Sequence, residues 1–177
     1  MELLDELPGS PVTNQFYIPP GKSIGQDGML VHIIPDATGD WIGCFAFGDF
    51  RAGLSAVIAS PQPEMLLVIA RGAGYLVNTA RPSEWKQIPC VPVRDARVLL
   101  DHRLVIFADF TRLAAYGTNG LARRSQPLCA DDLRIIGIAG AIITGSGYDP
   151  TNPASPEGRF ELDLLTGVIS KTNFECL

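Results

Sequence analysis

Three aspartates stand where a ligand or a cation could be held. Asp49, Asp109 and Asp149 each follow an apolar run and precede turn residues, as in "RLVIFADFTRLAAY" around Asp109. If equivalent strands lie side by side, their ends cluster at one rim, and several carboxylates there could bind a cation or a polar ligand. An aspartate at a strand end also accepts hydrogen bonds from the N–H groups of a turn. That structural interpretation is favoured.

Arginines occupy the same kind of position. Arg71 and Arg112 also follow apolar runs, so the charge of such a rim would be mixed. With the three aspartates they form the set of ligand-binding candidates. In that interpretation the protein binds or acts on a small molecule or carbohydrate in an acidic rim pocket.

Three aromatic residues are candidates for contacts with a partner protein. Trp41 in "GDWIG" and Trp85 in "SEWKQ" stand beside polar residues, and Tyr148 begins the Pro/Asn/Ser-rich stretch "YDPTNPASPEG". Long loops on rigid β scaffolds often carry recognition. The alternative for the tryptophans is a half-buried packing role, which is favoured.

Sequence motifs for catalysis or metal binding are missing. Neither His32 nor His102 has a second metal ligand nearby in sequence, and no two of the four cysteines form C-x-x-C. "GKS" at 21–23 resembles the end of a phosphate loop, but Phe16 stands where the first glycine belongs. No catalytic residue, metal or cofactor is predicted. Enzymatic activity stays open, although a non-catalytic role is favoured.

Composition restricts the class of protein and of partner. The chain has 177 residues, of which 46% are hydrophobic and 19% charged, which fits one ordinary domain. Its net charge of -5, with no basic cluster larger than Arg123-Arg124, argues against nucleic-acid binding and would suit a basic protein partner. Because no apolar run approaches a membrane span and the N-terminus does not resemble a signal peptide, a cytoplasmic protein is predicted.

Short apolar runs alternate with turn residues from Met29 onward and predict an all-β fold. The predicted strands lie near 29–34, 41–47, 54–59, 65–70, 74–78, 96–100, 103–108, 112–116, 121–125, 133–138, 141–147, 159–164 and 167–170. Residues 1–28 are predicted to form an extended arm, in which "MELLDEL" could be a short helix ended by Pro8. Residues 29–177 are predicted to form one domain.

A repeat emerges from the spacing of the strands. Similar apolar runs begin at Leu30, Leu67, Leu104 and Ala141, which are 37 residues apart. A second frame competes at the start, because "FGDFRAGLSA" at 47–56 matches "FADFTRLAAY" at 107–116. The repeat is therefore better supported after residue 64 than before it.

The pieces "RLVIFADFTRLAAYGTNGLARRSQP" and "RFELDLLTGVIS" resemble the strand-turn-strand units of quinoprotein-type and similar β-propellers, over roughly two thirds of the chain. The resemblance implies repeated antiparallel meanders in a small propeller-like fold. A two-sheet sandwich or an irregular barrel would use the same strands.

The function favoured by these features is a non-catalytic protein-binding or scaffold module. Rigid β repeats, a long loop and the acidic net charge motivate it. Self-association through exposed edge strands is a further expectation.

Overall fold

The protein is an all-β chain, as the sequence predicts. The computed structural model describes residues 1–6, 14–20, 27–36, 38–49, 53–151 and 156–172. In these ranges the regular elements are strands and one short 3₁₀ helix, Leu100–His102. The "GKS" stretch, Cys176 and part of the long loop after Tyr148 lie outside the described residues. The described ranges contain no helix long and apolar enough to cross a membrane.

The strands form four sheets of four strands each. Sheet 1 has the order β1-β3-β4-β2, from β1 (Glu2–Leu4), β2 (Gln15–Ile18), β3 (Gly28–Ile33) and β4 (Trp41–Ala46). Sheet 2 follows chain order with β5 (Ala56–Ala59), β6 (Met65–Ala70), β7 (Ala73–Asn78) and β8 (Trp85–Gln87).

The later sheets are also antiparallel meanders in chain order. Sheet 3 contains β9 (Asp95–Leu99), β10 (Leu104–Ala108), β11 (Leu113–Gly117) and β12 (Gly120–Arg124). Sheet 4 contains β13 (Asp131–Ala139), β14 (Ile142–Tyr148), β15 (Glu157–Asp163) and β16 (Ile169–Thr172). The predicted repeated meanders are therefore confirmed, with the four strands per sheet that propeller blades have.

The 37-residue repeat marks the central hairpin of each sheet. Leu30, Leu67 and Leu104 lie in β3, β6 and β10, and Ala141 immediately precedes β14; each of these strands begins a central hairpin. The frame that starts at Leu30 is thus confirmed. The competing frame is wrong, because it equates the end of β4, a second hairpin strand, with the end of β10, a first one.

The N-terminal residues take part in sheet 1. Glu2–Leu4 pairs with β3 in an antiparallel register, where the sequence suggested a short helix, and Gln15–Ile18 pairs with β4 in parallel. A two-turn helix is marginal in water, whereas pairing satisfies the same backbone groups on a neighbouring strand. Residues 7–13 and 21–26 of the predicted arm lie outside the described residues.

The chain divides into two compact units, Met1–Pro92 (unit 1) and Val93–Leu177 (unit 2). Unit 1 contains sheets 1 and 2, and unit 2 contains sheets 3 and 4. The predicted single domain from residue 29 onward stays a prediction.

Each unit has its own apolar core. In unit 1, alternate residues of β3 such as Val31 pack with Phe45, Val68 and Tyr75. In unit 2, Ile106, Leu113, Leu133 and Phe160 belong to a corresponding cluster between sheets 3 and 4. Burying side chains of this size contributes about 1.5–3 kcal/mol each, which is what holds the sheets of a unit together.

Candidate functional site

Asp109 is a turn residue whose carboxylate serves its own backbone. β10 ends at Ala108, and the Asp109 side chain is only 11% exposed. Its Oδ1 atom accepts hydrogen bonds from the backbone N–H groups of Thr111 at 2.8 Å and Arg112 at 2.7 Å. This is the geometry of an Asx turn, so the structural interpretation of Asp109 is confirmed.

The same arrangement recurs after other central strands. The buried Asp149 follows β14, and its Oδ1 accepts hydrogen bonds from the Thr151 N–H at 2.9 Å and the Thr151 hydroxyl at 2.6 Å. Asn78 ends β7 and accepts from Ala80 and Arg81 through Oδ1. The carboxylates of Asp109 and Asp149 are therefore each engaged within a separate turn.

The other ligand-binding candidates lie in two places. Asp49 is exposed after β4, and the nearby Gly48 N–H donates to the Ala70 carbonyl beside Arg71, so the structure brings these two segments together. Arg71 is exposed, with its guanidinium carbon 3.9 Å from the centre of the Phe47 ring. Arg112 is half-buried immediately before β11, in unit 2. Their role in binding a ligand stays a prediction.

The two tryptophans pack inside unit 1. Trp41 is 3% exposed, donates from Nε1 to the Thr79 carbonyl at 2.7 Å and packs edge-on against Phe16. Trp85 is half-buried, with its ring centre 6.1 Å from that of Tyr75. In this structure both tryptophans therefore occupy packing positions.

Tyr148 is exposed and lies beside a small cleft. Its side chain is 45% exposed and borders a cleft of about 200 Å³ together with Asp132, Arg134, Ser146 and Glu157. This position suits the predicted contact with a partner. The cleft lies along β13, β14 and β15 of sheet 4, with Pro156 beside it.

The charges at this cleft neutralise each other. Asp132 accepts hydrogen bonds from Arg134 at 2.6 Å and from Arg94 at 2.9 Å. The hydrogen bond from Arg134, reinforced by the one from Arg94, holds the pKa of Asp132 below its ordinary value despite partial burial. Such a network stabilises the local fold and leaves little net charge for a ligand.

A second depression in unit 2 has different chemistry, and we call it the arginine groove. It measures about 310 Å³ and lies between β11–β12 of sheet 3 and β15–β16 of sheet 4. Apolar side chains line it, with cationic and polar side chains beside them. The lining residues are Leu113, Ala115, Leu162, Leu164 and Ile169, with Arg123, Arg124, Ser125, Gln126 and Gly167.

Two consecutive arginines supply the charge of the groove. Arg123 donates from Nη2 to the Leu165 carbonyl at 3.1 Å, and its charge also helps to lower the pKa of Asp163, which balances part of it. Arg124 is 3.9 Å from the carboxylate of Asp109, so part of its charge is balanced at longer range. Both side chains are exposed at the end of β12.

Apolar side chains remain exposed next to the groove. Leu165 is 65% exposed and Val168 is 62% exposed, both in the turn between β15 and β16 that Arg123 contacts. Leu121 on β12 is exposed as well, but it lines a different depression, together with His102 and Leu104. Exposed apolar residues are common singly, but a cluster beside a cavity is typical of a binding surface.

The described part of the chain shows no grouping of three or more His, Cys, Asp or Glu residues that could hold a metal ion. Cys44, Cys90 and Cys129 are buried thiols that are not joined in disulfides. Burial raises the pKa of the Cys129 thiol from 9.0 to about 11, and the charge of Asp131 adds to the shift. A thiol held protonated in this way is a poor nucleophile at neutral pH.

The sequence does not predict the groove. In the sequence, Arg123-Arg124 is only the largest basic cluster, too small for nucleic-acid binding. Its partners Leu162 and Leu164 lie about forty residues further along the chain. One sequence feature could have indicated this surface. The two arginines end a short strand, and the repeat places that strand at the edge of a sheet.

Comparisons with known proteins give little further information. No protein-family model matches the chain, and no curated protein matches its sequence. A solved structure described as the putative TolB from Agrobacterium tumefaciens is 17% identical, with a TM-score of 0.38, over 67% of this chain. The match spans 46% of that protein's chain. A likeness of this size is too slight to carry an argument about function.

The fold and the site together define a class of protein. The chain is an all-β repeat protein built from four four-stranded sheets. In unit 2, an edge strand that ends in two arginines lies beside a mostly apolar groove.

Proposed function

We propose that the chain is a non-catalytic protein-binding module whose binding face lies on unit 2. The observation that carries the proposal is the cluster of exposed apolar side chains, Leu165 and Val168, beside the arginine groove. Covering apolar surface stabilises a complex by about 25 cal/mol per Å², before the costs of association are subtracted. We define the binding face as the groove, β12 and the β15–β16 turn.

The net charge of the whole chain bears on the partner as well. At -5, the protein attracts basic proteins at long range, and a partner that is basic overall is part of the proposal. Long-range charge governs the rate of encounter more than the final contacts, so local contacts at the binding face can have the opposite sign.

The alternative is a small-molecule or carbohydrate-binding protein with an acidic rim pocket. Asp109 and Asp149 already accept hydrogen bonds inside their own turns, which favours the protein-binding proposal over this one. Titration with neutral sugars, followed by NMR, distinguishes the two. Shifts centred on Asp49 and Arg71 would favour the alternative.

The proposal is tested by cross-linked affinity capture from the native cell extract. Captured proteins are identified by mass spectrometry, purified, and titrated against the chain by calorimetry. We expect the double variant Leu165→Ser and Val168→Ser to weaken binding of the purified partner about tenfold, since two apolar contacts are lost.

The matched control is Leu100→Ser, which alters another exposed leucine of unit 2, in the 3₁₀ helix between β9 and β10. It should leave the affinity unchanged. The proposal fails if no captured protein binds in purified form. The binding face is misassigned if the double variant and the control bind equally well.

A further inference from the structure

The strand β12 is an open edge of sheet 3. The sheet has the order β12-β11-β10-β9, so within the described residues β12 pairs on one side only, with β11. Leu121, Ala122, Arg123 and Arg124 are all exposed. An edge strand presents unpaired backbone N–H and C=O groups, and an extended segment of another chain can add to it.

The groove gives such a segment a place for side chains. Sheets 3 and 4 share one apolar core, and the groove lies where β11–β12 and β15–β16 leave space at its margin. Leu113 and Leu162 belong both to that core and to the groove lining. A volume of about 310 Å³ is enough for one or two apolar side chains from an extended segment, and successive residues of that segment would point alternately into and away from it.

The positive charge at the groove favours an acidic occupant. Arg123 and Arg124 line it, and the lining contains no acidic residue. Arg123 is hydrogen-bonded to a carbonyl oxygen and also interacts with the charge of Asp163, so a carboxylate placed near its guanidinium would meet a positive charge that is only partly balanced. Arginine binds a carboxylate through two parallel hydrogen bonds, which makes it better suited than lysine to this contact.

We infer that the arginine groove binds an extended, acidic segment of a partner protein, which adds to β12 as a further strand. An apolar side chain of the segment enters the groove between β11 and β15, and a carboxylate contacts Arg123. This inference rests on the proposed function and specifies the partner segment that the binding face recognises.

The probe is a short synthetic peptide in which glutamate alternates with leucine or valine, labelled with a fluorophore and titrated against the full chain. A peptide with lysine in place of each glutamate is compared with it. We expect the acidic peptide to bind at least about tenfold more tightly than the basic one, and its binding to weaken as salt is raised.

Two protein variants test the charge. The double variant Arg123→Glu and Arg124→Glu should weaken binding of the acidic peptide about tenfold or more. The matched control is Arg97→Glu, an exposed arginine on β9, at the opposite edge of the same sheet. It should change the affinity less than about twofold. Circular dichroism confirms that each variant is folded.

A chemical variant of the probe tests strand addition without altering the protein. N-methylation of alternate amides removes hydrogen-bond donors from one edge of the peptide, and the other phase of methylation removes them from the opposite edge. We expect one phase to abolish binding and the other to preserve it, because an added strand bonds to β12 along one edge only.

Several results would overturn the inference. Equal binding of the acidic and basic peptides, an unchanged affinity in the Arg123 and Arg124 variant, or indifference to both methylation phases would each do so. Octanoate that shifts the NMR signals of the groove while the acidic peptide does not would assign the groove to a small amphiphile instead.

The inference and the proposed function can fail separately. If a purified partner binds the wild-type chain and also the Arg123 and Arg124 variant, the inference is wrong while the protein-binding function stands. If no purified partner binds but the acidic peptide does so with the expected dependence on charge and methylation, the groove recognises such segments and the proposed function loses its support.

Discussion

Asp and Asn side chains at strand ends repeatedly accept hydrogen bonds from the backbone of the turn that follows them. Four residues at strand ends, Asp109, Asp149, Asp163 and Asn78, each accept a hydrogen bond from the backbone N–H two positions further along the chain. At Asp163 the backbone N–H groups of Thr166 and Leu165 lower the pKa of the carboxyl. These residues begin each turn in a fixed conformation, which helps to set the register of the strands on either side.

Asp109→Ala should destabilise the fold. The substitution removes the acceptor for two backbone N–H groups at a buried position, and we expect a loss of about 1–2 kcal/mol in the free energy of unfolding. Asp109→Asn keeps an acceptor oxygen and should lose less. Urea denaturation measures both.

The control for this prediction is Asp101→Ala, at an exposed position in the 3₁₀ helix, where a change within about 0.5 kcal/mol is expected. An Asp109→Ala protein as stable as this control would show that the turn forms without its cap.

Stability should decrease in alkaline solution through Cys129. Its pKa is raised from 9.0 to about 11, so the unfolded chain releases the thiol proton at a lower pH than the folded chain does. The stabilisation is complete below pH 9 and is lost as the pH rises through 11, by up to about 3 kcal/mol.

Denaturation at several alkaline pH values measures this loss. Burial also raises the pKa values of Cys44 and Tyr75, so the wild-type slope includes their contributions. Cys129→Ala removes one of the three, and its stability should depend on pH less steeply than that of the wild type. Parallel slopes would contradict the assignment to Cys129.

Strand exposure explains which elements the sequence predicts. The central hairpins are runs of apolar and β-branched residues, because β6 and β7 are buried over nearly their whole length. β8 is a three-residue, mostly exposed edge strand and lacks that pattern, so it escapes prediction. β1 is equally short and exposed. Its strand conformation depends on pairing with β3, more than twenty residues away.

The contribution of the N-terminal strands can be measured by a matched pair of substitutions. Ile18 in β2 is buried in the core of unit 1, whereas Leu3 in β1 is exposed. We expect Ile18→Ala to cost about 2–4 kcal/mol of unfolding free energy and Leu3→Ala to cost less than about 0.5 kcal/mol. Thermal and urea denaturation of both variants test this.

An Ile18→Ala protein with wild-type stability would show that β2 is dispensable, as a loosely attached arm would be. A large loss in Leu3→Ala would show that β1 contributes more to the fold than its exposure implies.

The whole chain can be tested for cooperativity, because both tryptophans lie in unit 1. Their fluorescence reports on unit 1, while far-UV circular dichroism reports on the strands of both units. A chain of 177 residues is within the usual size of one domain, so the sequence predicts one cooperative transition. The two signals should have the same midpoint in urea.

The sharper form of this test uses Phe160→Ala, in the core of unit 2. A single domain should show an equal shift of the fluorescence and circular dichroism midpoints. A fluorescence midpoint that stays in place while the other moves would mean that the two units unfold separately, contrary to the predicted single domain.

Across the whole molecule, the repeat was predictable and the groove was not. The 37-residue spacing follows from one sheet unit repeating along the chain, and periodicity survives in the sequence. The groove combines the ends of β11 and β12 with β15 and β16, and its shape depends on how two sheets pack. Single-sequence patterns contain periodicity and charge, but not the separation between packed sheets.

The arginines at the end of β12 also disfavour self-association of the chain through that strand. A second copy of β12 laid against the first in parallel register would bring four guanidinium groups close together, and like charges repel such a pairing. The edge strand β5, Ala56–Ala59, has no charged residue to prevent it. Of these two edge strands, β5 is therefore the one at which pairing with a second copy of the chain would begin more readily.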